Sequence, residues 1–155
     1  MSINIDELNA FIVRAKAATY VGSGEHAESS RPGSHDLRFT DEKWSYLDSY
    51  FGGTDFIGEE VVYFEGKPVW AMNYYGYILR DELLSAAEAG CMIKASLSRM
   101  YKEGRFLGTF EHIENDLTYI DTNEGSADHF HGKEFIRRGQ EVAYELVYHG
   151  GLIRE

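Results

Sequence analysis

Residues 46–77 read YLDSYFGGTDFIGEEVVYFEGKPVWAMNYYGY, and residues 119–152 read YIDTNEGSADHFHGKEFIRRGQEVAYELVYHGGL. The second stretch repeats the first. An offset of 73 carries Tyr46 to Tyr119, Asp48 to Asp121, Gly52 to Gly125 and Asp55 to Asp128. One inserted residue, His129, then changes the offset to 74, which carries Phe56 to Phe130, Gly58 to Gly132, Glu60 to Glu134, Tyr74 to Tyr148 and Arg80 to Arg154. Ordered matches with a single slip at a turn indicate a tandem duplication. The inserted residue marks the expected place of a β-bulge.

Outward from these stretches the chain alternates between helical and strand patterns. Asn4 followed by Glu7 opens an amphipathic helix carrying Leu8, Phe11, Ile12, Ala15 and Thr19, to about residue 20. The Gly/Ser-rich segment Val21–Asp36 reads as a loop and as the most mobile part of the chain. About four strands follow, with Glu65-Gly66 as a tight hairpin turn. Asp81 caps a second helix bearing Leu84, Ile93, Leu97, Met100 and Tyr101, with Gly90 as a possible kink, and about four more strands complete the chain. The expected fold is α+β in one domain, residues 1–155. Repeat one covers about 4–80 and repeat two about 81–155, each an αβ4 unit. Together they form one antiparallel sheet of about eight strands with both helices on one face, because neither unit alone buries its apolar face.

The bulk properties restrict partners. A formal charge of −11 disfavours direct binding of nucleic acid. No apolar run is long enough to span a membrane, and the N-terminal residues lack the pattern of a secretion signal. The lone Cys91, set among small and apolar helix residues, reads as a packing residue. A cytoplasmic protein is the expectation. Aromatic residues make up 14% of the chain, consistent with a strand-rich core or a ring-lined cavity.

The segments YLDSYFGGTDFIGEEVV, GKPVWAMNYYG, DTNEG and YELVYHGGLI resemble an uncharacterised bacterial domain family. The resemblance runs from about Phe11 to Ile153. It implies a domain found alone or fused behind helix-turn-helix DNA-binding domains, with no assigned activity. No DNA-binding segment precedes the first helix here, so a regulatory role is expected to run through a separate partner.

Counting alternate residues back from Glu65-Gly66 puts Ile57, Glu59, Val61 and Tyr63 with Trp70, Met72 and Tyr74 beneath the helices. Glu60, Val62, Val69, Ala71, Asn73 and Tyr75 then face away, as do Glu134, Ile136, Ala143, Glu145, Val147 and His149 in the second hairpin. Glu60, Asn73, Tyr75, Glu134, Glu145 and His149 become the candidate ligand site, a groove of carboxylates and rings suited to an organic cation. The alternative for Glu60 and Glu134 is acceptance of hydrogen bonds from turn backbone beside Gly58 and Gly132. Tyr46, Asp48, Tyr119 and Asp121 read first as cross-strand hydrogen-bonding groups and second as ligand contacts.

His129 and His131, two apart on a strand, with His149 on a later one, form the candidate metal site for a divalent ion. No nucleophile elbow or phosphate loop occurs. The leading functional expectation is a non-enzymatic small-molecule sensor linked to transcription control, with no cofactor. The alternatives are a metal-dependent enzyme using the histidines, or a protein-docking module using the sheet.

Overall fold

Two-residue turns with the backbone twisted into the left-handed region organise the strands. They fall at Glu42-Lys43, Glu65-Gly66, Asn115-Asp116 and Gly139-Gln140, where Glu42, Glu65, Asn115 and Gly139 have φ of 52°, 50°, 57° and 60°. Such turns match the right-handed twist of the strands they join. A computed structural model describes residues 2–22 and 25–155, and only the backbone of Glu25. Its elements run in the order α1 (Ile5–Lys16), a π-helical turn (Ala17–Val21), β1 (Glu25–Ala27), β2 (His35–Asp41), β3 (Trp44–Gly52), β4 (Phe56–Phe64) and β5 (Lys67–Ile78). Then come α2 (Ala86–Lys102), β6 (Phe110–Glu114), β7 (Leu117–Ser126), β8 (His129–Arg138) and β9 (Glu141–Leu152).

The nine strands form one antiparallel sheet in the order β1-β2-β3-β4-β5-β9-β8-β7-β6. The protein is therefore α+β, as expected, with one strand more than the eight counted from sequence. The extra strand, β1, lies in the Val21–Asp36 segment read as a loop, of which residues 23 and 24 lie outside the described residues. Without β1, the order reads symmetrically outward from the β5–β9 seam, four strands to each side. There Tyr74 pairs with Tyr148, while Met72 pairs with Gly150 and Gly76 with Leu146.

Asn4 accepts from the backbone N–H groups of Asp6 and Glu7 and so starts α1. α2 starts four residues later than expected, because Ser85 and Glu88 form a reciprocal capping box and Asp81 caps nothing. The helix continues unbroken through Gly90, and Cys91 is exposed rather than packed. Both helices bury their apolar stripes in one core with the inner face of the sheet, around Trp70, Tyr46, Tyr119, Tyr144 and Ile136. The Trp70 indole donates to the Ala127 carbonyl at 3.0 Å, tying the centre of the first hairpin to a turn of the second.

The phase of β4 is the reverse of the sequence reading. Tyr63 pairs with Pro68 but Val62 pairs with Trp70, so Val69 is an extra residue and the hairpin carries a β-bulge. A one-residue shift turns every side chain beyond it to the opposite face. Ile57 is consequently 54% exposed, while Glu60 is 5% exposed and lies under the helices. The second hairpin has its bulge at Ala143, between Arg137↔Val142 and Ile136↔Tyr144, so Glu134 and Ile136 also point inward. No bulge forms at His129. The inserted residue lengthens the turn instead, allowing Ser126 to pair with His129 before Gly125 pairs with Phe130.

Candidate functional site

The bulges bring four carboxylates to the inner face. Asp48 and Glu60 are opposed across β3 and β4, and Asp121 and Glu134 across β7 and β8; none is more than 7% exposed. Between the two pairs lies a cavity of about 50 Å³, walled by all four together with Lys16, Tyr20, Met72, Tyr74, Leu97, Tyr101, Phe106, Leu146 and Tyr148. Tyr20, Asp48, Phe56 and Tyr74 also wall a larger cleft of about 350 Å³ that continues to His26, Gly52, Gly53 and Lys94. Tyr20 is presented by the π-helical turn that ends α1, a distortion found frequently at functional sites.

Each carboxylate has a definite partner. The Tyr74 hydroxyl donates to Asp48 at 2.5 Å, and its counterpart Tyr148 donates to Asp121 at 2.6 Å. Glycine makes both bonds possible. A Cβ on Gly58 or Gly132 would come within 2.5 Å of the Tyr74 or Tyr148 hydroxyl, so the crossing ring would have to leave its carboxylate. Tyr119 donates to Glu134. In the other half Lys16 donates to Glu60 at 2.5 Å, with Met72 Sδ at 3.9 Å and the Phe106 ring centroid at 5.7 Å from its ammonium. Glu60 and Glu134 are thus held by side chains, not by the turn backbone considered above. Tyr46, the counterpart of Tyr119, has a buried hydroxyl with no partner among the described residues.

Four carboxylates against one ammonium cannot all ionise in a buried space. Burial, then the neighbouring Glu60, raises Asp48 to about 7, and burial raises Asp121 to about 6. Burial, then Asp121, raises Glu134 to about 8. Burial and the same acids hold the Tyr74 and Tyr119 hydroxyls protonated, so they serve as donors. The cluster can accept a cation or exchange a proton near neutrality.

The expected site is divided by the sheet. Glu60 and Glu134 lie inside, while Asn73, Tyr75, Glu145 and His149 point to the outer face. Glu145 is occupied there, accepting from Tyr77 at 2.6 Å and pairing with Lys133 at 3.1 Å. Of the candidate metal ligands, His131 and His149 are cross-strand partners on the outer face, with His129 on the same side of β8. No group of three or more His, Cys, Asp or Glu side chains among the described residues is arranged to hold a metal ion.

Lys16, Tyr20, Leu97 and Tyr101 wall the cavity but are not among the site residues expected from sequence, although a signal exists. An offset of 81 carries Asn4 to Ser85, Glu7 to Glu88, Ile12 to Ile93, Lys16 to Leu97 and Tyr20 to Tyr101. At this offset Lys16 on α1 aligns with Leu97 on α2 and Tyr20 with Tyr101, and all four wall the cavity.

Fold and site together define a class: an α+β domain whose antiparallel sheet and two helices enclose an acidic, tyrosine-lined cavity. The model of the family described as Domain of unknown function (DUF5680) matches residues 48–153, and the chain belongs to that family. No curated protein and no solved structure matches the chain significantly. Among the described residues no helix is long and apolar enough to cross a membrane.

Proposed function

We propose that this domain is a non-enzymatic sensor that binds a small organic molecule in the cavity between its helices and its sheet. One observation carries the reading: four buried carboxylates converge on that cavity and, among the described residues lining it, only one lysine balances them. Such an arrangement is unfavourable for an empty core and favourable for one that receives hydrogen-bond donors or positive charge. We also infer that the chain is a duplication, with repeat one about 4–80 and repeat two about 81–155. Matching helix caps, matching bulges at Val69 and Ala143, and the self-paired Tyr74–Tyr148 seam support this. The ligand then lies on the pseudo-twofold axis. A link to transcription control in the cytoplasm rests on the family resemblance to domains fused behind helix-turn-helix segments, with a separate protein as the DNA-binding partner.

Thermal denaturation against a panel of metabolites tests this reading, on the wild type and on Leu97→Phe, which fills the cavity. A ligand at about 100 times its dissociation constant adds about 2.7 kcal/mol, a rise of several degrees. The reading expects at least one compound to raise the wild-type melting temperature and to leave Leu97→Phe unmoved. Equal shifts in both proteins, or none in either, would reject it.

A second reading, protein docking through the sheet, draws on one row of the outer face. Ile57, Tyr75 and Val147 are register partners on β4, β5 and β9, and are 54%, 45% and 39% exposed. Concentration-dependent association lost in Tyr75→Ser would favour it.

A further inference from the structure

We propose, resting on the cavity reading above, that the ligand is a small primary alkylammonium whose charged end sits against Glu134 in the half of the cavity faced by Leu97. The protein contains its own example of this recognition. Lys16 places an ammonium on Glu60 at 2.5 Å, beside a thioether sulfur and over the Phe106 ring. The matching half has the same carboxylate pair, Asp121 and Glu134, but Leu97 where a lysine would be. Among the described residues only neutral side chains hydrogen-bond that pair: Tyr119 donates to Glu134, and Tyr148 and Asn123 donate to Asp121.

A second feature points the same way. Tyr144 is 1% exposed, its hydroxyl has no partner among the described residues, and its ionisable neighbours Glu134 and Tyr20 both wall the cavity. A bound amine brings N–H groups to a chamber that has surplus acceptors. The chamber is small. At about 50 Å³ it admits a few non-hydrogen atoms, well below the pockets of about 300–1,000 Å³ that hold drug-sized ligands.

Charge balance fixes a further consequence. Glu134 faces Asp121 and Tyr119 from β7, Tyr144 and Tyr148 from β9, Glu60 from β4, Lys16 from α1, Tyr20 from the π-helical turn and Tyr101 from α2. An arriving ammonium takes the place of a proton shared by these acids, so binding near neutrality releases a proton and strengthens as pH rises.

Titration calorimetry with propylammonium chloride, in two buffers of different ionisation enthalpy, tests the assignment, with 1-propanol and tetramethylammonium as controls. Propylammonium should bind with proton release and the controls should not bind. Glu134→Gln should weaken propylammonium binding by roughly tenfold or more. Leu97→Lys should fold, as judged by circular dichroism, and should no longer respond to the amine, because its own ammonium occupies the position. If Leu97→Lys does not fold, Glu134→Gln decides. Equal binding of 1-propanol, or undiminished binding by Glu134→Gln, overturns the assignment. If propylammonium fails but a neutral metabolite shifts the wild type and spares Leu97→Phe, the ammonium assignment falls and the cavity reading stands. If no compound in either experiment binds, both fall.

Discussion

Lys16 on α1 and Leu97 on α2 wall the same cavity, where Lys16 is paired with Glu60 and Leu97 brings no charge. The core therefore holds four carboxyls of which one is bonded to an ammonium. This asymmetry governs how the protein should respond to mutation and to pH.

Lys16→Met removes the one cation from a cluster of four acids. The pair it breaks is 5% and 6% exposed at its side chains, so water cannot compensate. Removing one partner of a buried ion pair costs about 3–5 kcal/mol. Urea denaturation near neutral pH should show a loss of that size, shrinking in acid, where protonated carboxyls need no counter-ion. A loss below about 1 kcal/mol, as for an exposed pair, would contradict the burial of the bridge.

Stability should fall as pH rises across the neutral range. Asp48, Asp121 and Glu134 have folded-state values of about 7, 6 and 8, all above the ordinary 3.8 and 4.5 of the unfolded chain. Between about pH 4 and 8 the folded protein binds more protons than the unfolded one, so their contribution is fully present in acid and is lost through their folded values. The expected decrease from about pH 5 to about pH 8.5 is several kcal/mol. Asp36 acts in the opposite sense only at lower pH. Burial raises it, but hydrogen bonds from Ser30, Ser34 and Ser49 outweigh burial and hold it at about 2. Chemical denaturation across this range should show the slope in the wild type and a flatter one in Glu134→Gln.

Two tyrosines at matching positions should behave differently. Tyr119→Phe strips the donor from Glu134 and leaves a buried acceptor unsatisfied, a loss of about 1–3 kcal/mol. Tyr46→Phe removes a hydroxyl that has no partner among the described residues, so stability should hold or rise slightly. Parallel urea titrations of both variants check the contrast, and equal losses would show that Tyr46 is bonded in solution.

Much of the fold could be read from local sequence patterns. Both helices, the eight principal strands and the Glu65-Gly66 turn follow from periodicity and turn chemistry, because those signals are local. The faces of β4 and β8 could not be read, since the bulges at Val69 and Ala143 leave no mark in the hydrophobic pattern yet reverse every residue beyond them. Val61 and Val62 are equally apolar, and nothing in the sequence says which one turns inward. For the site, the repeated Glu60 and Glu134 were identified, but on the wrong side of the sheet and beside the wrong neighbours. Lys16 was invisible because a lysine on a helix is ordinarily a surface residue, and only the sheet opposite gives it a reason to be buried.

A chamber closed by two identical subunits must carry its charged groups in even numbers, because the symmetry axis copies each one. Here the chamber lies over the Tyr74–Tyr148 pair and holds, among the described residues, a single lysine, a number that two identical subunits could not supply. That state is open only to halves joined in one chain, where either can change without the other. On the duplication inferred above, covalent joining gives the chamber a polarity: an amine-bearing end and an acid-bearing end, and with them a direction for any unsymmetrical guest of the kind proposed.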